Sequence, residues 1–357
     1  MNPLDAPLKD FRDRIRAATA SKKPLLIRGG GSKDFYGNVP RGDVLDTRAH
    51  AGIVAYEPTE MYIRARAGTP LLDIERALEE HGQLISCEPP DFAGATIGGM
   101  LAAGLSGPRR MAGGAVRDLV LGVQTIDGNA EVMNFGGQVM KNVAGFDVSR
   151  LMAGSLGTLG LITEVTLKVI PRAATELTLQ LEMTQAQALE QLDNWAQAPL
   201  PISATSWFED RLSVRLSGAD DGVAEARDAL GGEALDEVDA NDLWLSLREQ
   251  THPFFGAPLW RLSLPANIQA LDLPGEQLIE WNGCQRWLTS EADARVIRQL
   301  AMAAGGAATL FRGHAEQKRA HGVFAPLPPQ LAELHQRVKK SFDPAGIFNP
   351  GRLYPDL

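Results

Sequence analysis

The stretch Pro24–Gly37, PLLIRGGGSKDFYG, joins a short apolar segment to three consecutive glycines, a serine and a lysine. A buried strand that runs into glycines exposes backbone N–H groups that no Cβ shields, and such a loop suits a diphosphate. The same composition suits a plain turn or a hinge, so the loop alone leaves both interpretations open. Residues 34–37 do not continue as a helix, and no GxxxxGK[ST] pattern is present, so neither the Rossmann nor the Walker fingerprint is matched.

Two further segments downstream are rich in glycine. The first, ATIGGMLAAGLSGPRRMAGGAVRD, runs from Ala95 to Asp118, and the second, KNVAGFD…GSLGTLGLITEV, runs from Lys141 to Val165. Glycine within a helix costs about 1 kcal/mol relative to alanine, so this density indicates backbone that must lie close to something. A flat, multi-ring ligand edged by backbone amides would explain it, with Arg109 and Arg110 offsetting phosphate charge. The alternative is a glycine-rich crossing of packed elements.

The size and charge of the chain restrict its class. Its 357 residues predict two or three domains, and a net charge of -9 argues against a nucleic-acid partner. Cys87 and Cys284 belong to no CxxC or Cys/His cluster, which argues against structural zinc and fits a reducing compartment. No run of 18 apolar residues and no signal-peptide core occur. We therefore expect a cytoplasmic protein, with peripheral association at the inner membrane left open.

Local patterns predict several elements. Residues 4–20 carry apolar side chains at helical spacing, and Asp127-Gly128 is a turn signal between two strands of a hairpin. Thr69 is the expected N-cap of a helix that Gly82 closes. From about Thr175 glycine becomes rarer, all six tryptophans follow, and strands and helices interleave twice in the same order. This part predicts one antiparallel sheet covered by helices, with the tryptophans in its core or at an interface.

The ordered set of motifs carries a resemblance. RGGGS, ATIGGMLAAGLSGP, VRDLVLGV, KNVAGFD, GSLGTLGLITEVTLKVIP and FDPAGIFNPGR resemble FAD-binding oxidoreductases of the vanillyl-alcohol-oxidase/para-cresol-methylhydroxylase (PCMH) type. The match runs from about Pro24 to Pro171 and resumes at Phe342–Arg352. The resemblance implies an α+β fold with three parts: a two-subdomain PCMH-type FAD-binding domain (1–173), a smaller α+β cap domain with an antiparallel sheet (174–325), and a C-terminal helix and tail that return to the flavin region (326–357).

The resemblance also implies which residues hold FAD. Some would form the pyrophosphate loop, others would line the flavin and its ribityl chain, and others would run past the adenosine half. The implied residues are Arg28, Gly29, Gly30, Gly31, Ser32, Pro89, Thr96, Ile97, Gly98, Gly99, Ser106, Gly107, Arg109, Gly154, Gly157, Thr158, Gly160, Ile162 and Asn349.

Two departures from the family pattern alter the expectation. Members with covalent flavin often carry a histidine after the first glycines, whereas Ser32 and Lys33 stand there, and Cys87 is nine positions before Thr96. We therefore predict noncovalent FAD. Family members that act on 2-hydroxy acids often carry an HxGDGN-like metal motif, but the comparable stretch FRGHAEQKRAHGVF lacks GDGN. We therefore predict no metal site.

Arg312 and His314 are the predicted catalytic residues. They lie at the end of a predicted cap strand, where an arginine can bind a substrate carboxylate bidentately and a histidine can accept a hydroxyl proton. The alternative is a solvated turn. His50, His81 and His335 are predicted to be surface residues.

Within the family the sequence looks most like the FAD-binding subunits of bacterial glycolate oxidases. That likeness implies a small 2-hydroxy acid substrate, glycolate or D-lactate, and two partners: a paralogous FAD-binding catalytic subunit and an iron–sulfur subunit. A second hypothesis is a non-catalytic, flavin-bearing or structural partner of the paralogue. A third is an FAD reductase of another class, such as one reducing an enoyl sugar nucleotide.

Overall fold

The computed structural model of the chain describes residues 6–137 and 147–357. The motif KNVAGFD lies outside the described residues except for Asp147. Three parts follow one another along the chain: a helix-covered sheet, a larger sheet, and a C-terminal helix with a tail.

The first part contains a five-stranded antiparallel sheet of order β3-β4-β8-β6-β7 and a parallel pair, β1-β2. Short helices cover the sheet. The elements are α1 (Ala6–Ser21), β1 (Leu25–Arg28), β2 (Asp43–Asp46), β3 (Ile53–Glu57), β4 (Tyr62–Arg66), α2 (Leu71–Glu79), β5 (Gln83–Leu84), α3 (Ile97–Ala103), α4 (Arg110–Gly113), α5 (Val116–Leu119), β6 (Val120–Ile126), β7 (Val132–Gly136), α6 (Val148–Met152), β8 (Leu161–Lys168) and β9 (Ile170–Pro171).

Burial explains why these segments form these elements. Leu71, Ile74 and Leu78 recur at helical spacing on α2, and all three side chains are fully buried. Strand β8 lies between β4 and β6 and is buried along almost its whole length, as expected of a central strand that is covered on both faces. These side chains share one core with the apolar positions of α3.

Some local predictions are confirmed and others are wrong. The predicted N-terminal helix is α1, and the hairpin is β6-β7, where the Asp127 carboxylate accepts hydrogen bonds from the turn. Thr69 does not cap α2: the helix begins after Pro70, and the Thr69 hydroxyl donates to the Arg66 carbonyl at 2.6 Å. His50 is buried rather than exposed. Its neighbours in the fold come from distant segments, so sequence polarity alone misplaces it.

The second part is an eight-stranded antiparallel sheet of order β13-β10-β12-β11-β15-β16-β14-β17. The predicted single antiparallel sheet with helical cover is confirmed. Its elements are β10 (Thr175–Glu182), α7 (Gln185–Trp195), β11 (Ile202–Phe208), β12 (Arg211–Gly218), α8 (Asp220–Leu230), β13 (Glu233–Ala234), α9 (Glu237–Arg248), β14 (Leu259–Ser263), β15 (Glu276–Glu280), β16 (Gln285–Thr289), α10 (Ala294–Ala303), β17 (Ala307–Arg312) and α11 (Ala315–His321). Below, this part is called the cap.

The C-terminal helix α12 (Pro329–Phe342) leads the chain back to the first part. The Leu25 amide donates to the Ile347 carbonyl, and Phe348 forms a parallel bridge with Leu25. The Lys339 ammonium is buried and bonds Asp343 at 2.6 Å and the Thr158 carbonyl at 2.7 Å. Because these bonds replace the water that a buried cation loses, the tail is held against β1.

Candidate functional site

A cleft opens where β1 ends in the three glycines, with a volume of about 770 Å³ when the space open to solvent is counted. We call it the glycine cleft. Its wall comes from the loop after β1, the start of α3, the turn before β8 and the C-terminal tail. Of the residues predicted to bind the cofactor, those lining it are Arg28, Gly29, Gly30, Gly31, Ser32, Thr96, Gly98, Gly99, Gly157, Gly160, Ile162 and Asn349.

The loop amides are free to bind an anion. No residue in the described part of the chain accepts a hydrogen bond from the backbone N–H groups of residues 29–33. Partly buried N–H groups normally find a partner, and consecutive free ones form an anion-binding concavity. These free amide donors therefore fit the diphosphate of FAD.

Several of these positions need glycine because another backbone lies against them. A Cβ on Gly30 would overlap the Gly94 carbonyl oxygen. A Cβ on Gly98 would lie 2.6 Å from the Ala67 Cβ, and Gly31 adopts a φ of +77°. The glycines thus allow the loop to pack directly on the segment that leads into α3, which brings the two lining segments together.

Charged side chains border the loop. The Arg28 guanidinium pairs with Asp34 at 2.7 Å, which leaves Lys33 as the next cation along the wall. Burial lowers the pKa of the Lys33 ammonium to about 8, although Asp91 and Glu249 oppose the shift. The ammonium lies 5.2 Å from the ring centroid of Phe92. Lys33 therefore places a positive charge where the cleft meets the cap.

Asn349 joins two walls of the cleft. Its side-chain oxygen accepts from the Ile27 amide at 2.8 Å, and its side-chain nitrogen donates to the Leu156 carbonyl at 2.6 Å. Both polar ends of the amide are therefore occupied by protein. Asn349 holds β1 against the turn that carries Gly157.

Other predicted cofactor residues lie away from the glycine cleft. Ser106 and Gly107 line a separate cavity under the cap, whereas Gly154 and Thr158 line a groove beside α12. Ile97 is buried in the core. The positions of the two remaining residues are set by contacts with the cap: the Pro89 carbonyl accepts from Arg248, and the Arg109 guanidinium bonds Glu88, Glu176 and Ser217.

The structure separates the environments of the two predicted catalytic residues. Arg312 lies over the ring of Phe35 at 4.7 Å and over that of Phe92 at 5.7 Å, and burial lowers its pKa. His314 is exposed at the start of α11, where its backbone amide bonds the Gln317 side chain. A shared catalytic role for the pair stays a prediction.

The separate cavity, which we call the cap cavity, has a volume of about 310 Å³ when the space open to solvent at its mouth is counted. It lies between the cap sheet and the loop after Pro89, and sequence reasoning did not find it. Burial raises the pKa of Glu280 to about 7, and hydrogen bonds from Trp287 and Gln285 oppose that shift. The one signal in the sequence was an acidic residue at the end of the apolar strand LIE. The residues that carry its chemistry are Gln250, Arg261, Glu280 and Gln285.

A metal-binding cluster and a membrane-spanning helix are both absent from the described residues. Within residues 6–137 and 147–357, no group of three or more His, Cys, Asp or Glu side chains could hold a metal ion. None of the helices in these ranges combines the length and apolar character that a membrane span requires.

Comparison with known proteins agrees with the cleft. A family model described as an FAD binding domain matches residues 8–136, and one described as the C-terminal domain of FAD linked oxidases matches residues 291–353. The chain is 48% identical over 348 residues to glycolate oxidase subunit GlcE of Escherichia coli K12, covering 97% of both chains. The chain belongs to the GlcE family. The expectation of an FAD-linked oxidoreductase subunit is therefore confirmed.

Relatives with other names have lower sequence identity to this GlcE family member. Glycolate oxidase subunit GlcD of Bacillus subtilis is 32% identical over 193 residues, which are 54% of this chain and 41% of that protein. D-lactate dehydrogenase of Archaeoglobus fulgidus is 25% identical over 401 aligned residues, with 96% and 88% coverage. Among solved structures, p-cresol methylhydroxylase superposes with a TM-score of 0.71 at 13% identity, covering 98% of this chain and 87% of that one. The predicted PCMH-type fold is confirmed.

Proposed function

We propose that this chain is the FAD-binding subunit of a multi-subunit oxidase that acts on glycolate or a similar small 2-hydroxy acid. The likeness to GlcE over 97% of both chains carries the proposal. The name of the GlcD relative, a glycolate oxidase subunit, supports a second subunit as the partner, and we infer that this subunit is a paralogous FAD-binding one. We extend the proposal to an iron–sulfur subunit that receives the electrons, in an assembly located in the cytoplasm or peripherally at the inner membrane.

The residues of the glycine cleft would hold FAD without a covalent bond. The free amides of residues 29–33 would bind the diphosphate, and Lys33 would add a positive charge at the end nearest the cap. Because Ser32 and Lys33 stand where a flavin-linking histidine would stand, no side chain there is suited to a flavin bond. Bound FAD would supply the acceptor for a hydride, and the residues of the glycine cleft would hold it in position.

One observation favours a second candidate function. The predicted base His314 is exposed. Among the described residues, its imidazole forms no hydrogen bond that would hold it in place. In this alternative the chain binds flavin, or only supports its paralogue, and the paralogous subunit oxidises the substrate.

A single set of measurements tests the proposal. Acid precipitation of the purified chain should release all of its flavin into the supernatant, because the binding is noncovalent. The FAD-loaded chain is then mixed anaerobically with glycolate, alone and with its partner subunits, while the absorbance of oxidised flavin is followed.

Bleaching of the lone chain supports a catalytic subunit, whereas bleaching only in the complex supports the second candidate. A purified chain that binds no FAD would contradict the proposal and the flavin-binding form of the second candidate, and would leave only structural support of the paralogue. Flavin that stays with the acid-precipitated protein would contradict noncovalent binding alone.

A further inference from the structure

The cap cavity contains a cation without an anionic partner. Arg261 on β14 donates to the Tyr36 hydroxyl at 3.1 Å and lies 5.6 Å from the ring centroid of Phe311. Within the described part of the chain, no carboxylate lies within 4.0 Å of its guanidinium. The other arginine on the cavity wall, Arg248, is by contrast paired with Glu75 and Glu249. Arg261 therefore offers the cavity an uncompensated guanidinium, which is suited to a carboxylate.

The cavity also contains acceptors without donors. The side-chain oxygen of Gln250 is buried and receives no hydrogen bond from the described residues, and its backbone adopts a φ of +52°. Buried polar atoms are nearly always paired, and strained backbone concentrates where a ligand is held. An acceptor of this kind calls for a ligand that donates a hydrogen bond.

Glu280 provides a second acceptor on the same wall. Trp287 and Gln285 donate to its carboxyl group at 2.6 and 3.0 Å, and both bonds end on Oε2. Within the described residues, Oε1 receives no hydrogen bond, so one oxygen of this buried side chain is left over. A ligand hydroxyl in the cavity can supply the missing donor.

The ring of Phe92 lies between the cap cavity and the glycine cleft. This ring lines the cavity and is contacted by Lys33 from the cleft. The Phe92 backbone has a φ of +51°, and its amide donates to the Glu249 carboxylate of the cap at 2.7 Å. The cap therefore determines how the wall between the two spaces is placed, and a ligand in the cavity would lie next to the cleft.

We propose that the cap cavity binds a small 2-hydroxy carboxylate, with Arg261 binding the carboxylate and Glu280 accepting the hydroxyl hydrogen bond. Gln250 is the neighbouring acceptor. Much of the space counted in this cavity is open to solvent, and its enclosed part has room only for a ligand of a few heavy atoms. This inference rests on the proposed function for its substrate class, but the binding itself is measured without turnover.

The test uses the FAD-loaded full chain after chemical reduction of its flavin, so that it cannot oxidise a ligand. Equilibrium dialysis measures the binding of labelled glycolate and of labelled acetate, which lacks the hydroxyl. We expect Arg261→Gln to weaken glycolate binding at least tenfold and Arg261→Lys to weaken it less. Glu280→Gln should narrow the preference for glycolate over acetate. Arg295→Gln and Glu276→Gln change exposed side chains of the cap and should leave binding unchanged.

Circular dichroism and FAD content show whether each variant folds, and Arg261→Lys preserves the test if Arg261→Gln does not fold. Equal glycolate affinity in wild type and both Arg261 variants would overturn the proposal. The proposal would also be overturned if Arg312→Gln lost glycolate binding while Arg261→Gln kept it. Binding that depends on Arg261, without flavin reduction alone or in the complex, would support the cavity and contradict the proposed function. Flavin reduction by glycolate that is as fast in Arg261→Gln as in wild type would support the proposed function and contradict the role of the cap cavity.

Discussion

At the scale of the residue, Glu280 shows how burial and hydrogen bonding oppose each other. Burial disfavours its charged form and raises its pKa to about 7, and the nearby Glu88 carboxylate acts in the same direction. Trp287 and Gln285 oppose the shift, and the arginines Arg261 and Arg248 also line the cavity it faces. Near neutral pH this side chain therefore lies close to its own midpoint of titration.

The raised pKa predicts a pH-dependent contribution to stability. Since the folded chain holds the Glu280 proton more tightly than the unfolded chain, this contribution is full below about pH 4.5 and is lost as pH rises through about 7. Relative to wild type, Glu280→Gln should gain roughly 3 kcal/mol of unfolding free energy between these limits. Urea unfolding at pH 5 and pH 8 measures the difference.

Glu276→Gln is the matched control, because Glu276 is exposed on the same strand. The difference in unfolding free energy between Glu276→Gln and wild type should be the same at both pH values. If the difference in unfolding free energy between Glu280→Gln and wild type is also independent of pH, the Glu280 carboxyl group is ionised like an exposed one.

At the scale of the element, the loop after β1 works because its backbone packs on other backbone. The Gly94 amide donates to the Asp91 carboxylate at 2.7 Å, which holds the Gly94 carbonyl where a Cβ on Gly30 would lie. Backbone cannot move aside as a flexible side chain can. The loop can therefore take this shape only with glycine at position 30.

Gly30→Ala should therefore displace the loop and lower FAD occupancy severalfold, with a loss of unfolding free energy of about 1–3 kcal/mol. The ratio of flavin to protein absorbance in the purified variant measures occupancy. Gly222→Ala is the matched control, because Gly222 lies in helix α8 and a Cβ there meets nothing within 4 Å. It should keep full occupancy and gain up to about 1 kcal/mol. Equal occupancy in both variants would contradict a tight loop.

At the scale of the whole molecule, a buried ion network joins the cap to the first part. Glu88 accepts from Arg109 at 3.2 Å and from Arg215 of the cap sheet at 2.8 Å, and Arg109 also pairs with Glu176. Both arginine side chains are at most 8% exposed. Burial raises the pKa of Glu88, but Arg215 and Arg109 outweigh it and hold the pKa below its ordinary value.

Glu88→Gln should consequently cost about 3–5 kcal/mol of unfolding free energy, because it leaves buried guanidinium charge without its counter-ion. Chemical denaturation measures the loss, and limited proteolysis should cut the cap more readily in the variant. Glu79→Gln removes the partner of an exposed ion pair with Arg172 and should cost no more than about 1 kcal/mol. A loss in Glu88→Gln as small as in Glu79→Gln would show that the network does not fasten the cap.

The sequence by itself determined the family, the cofactor and the antiparallel sheet of the cap. Glycine spacing and apolar periodicity are local properties, and they led to the loop after β1, the β6-β7 hairpin and the antiparallel cap sheet. Most residues predicted to line the cofactor site do line the glycine cleft. The family resemblance supplied these positions, because residues such as Asn349 reach the cleft only through contacts with distant parts of the chain.

Only the tertiary structure decided which polar side chains share a space. Arg109 was expected near phosphate, but its guanidinium is occupied by carboxylates that approach from 21 and 67 positions away in the chain. Arg261 and Glu280 lie on different strands, and they meet one cavity only because the sheet brings β14 and β15 against the same partner, β16. Burial and pairing depend on such long-range contacts. A local pattern therefore identifies the cleft, whereas the packing of the cap decides what can lie beside it.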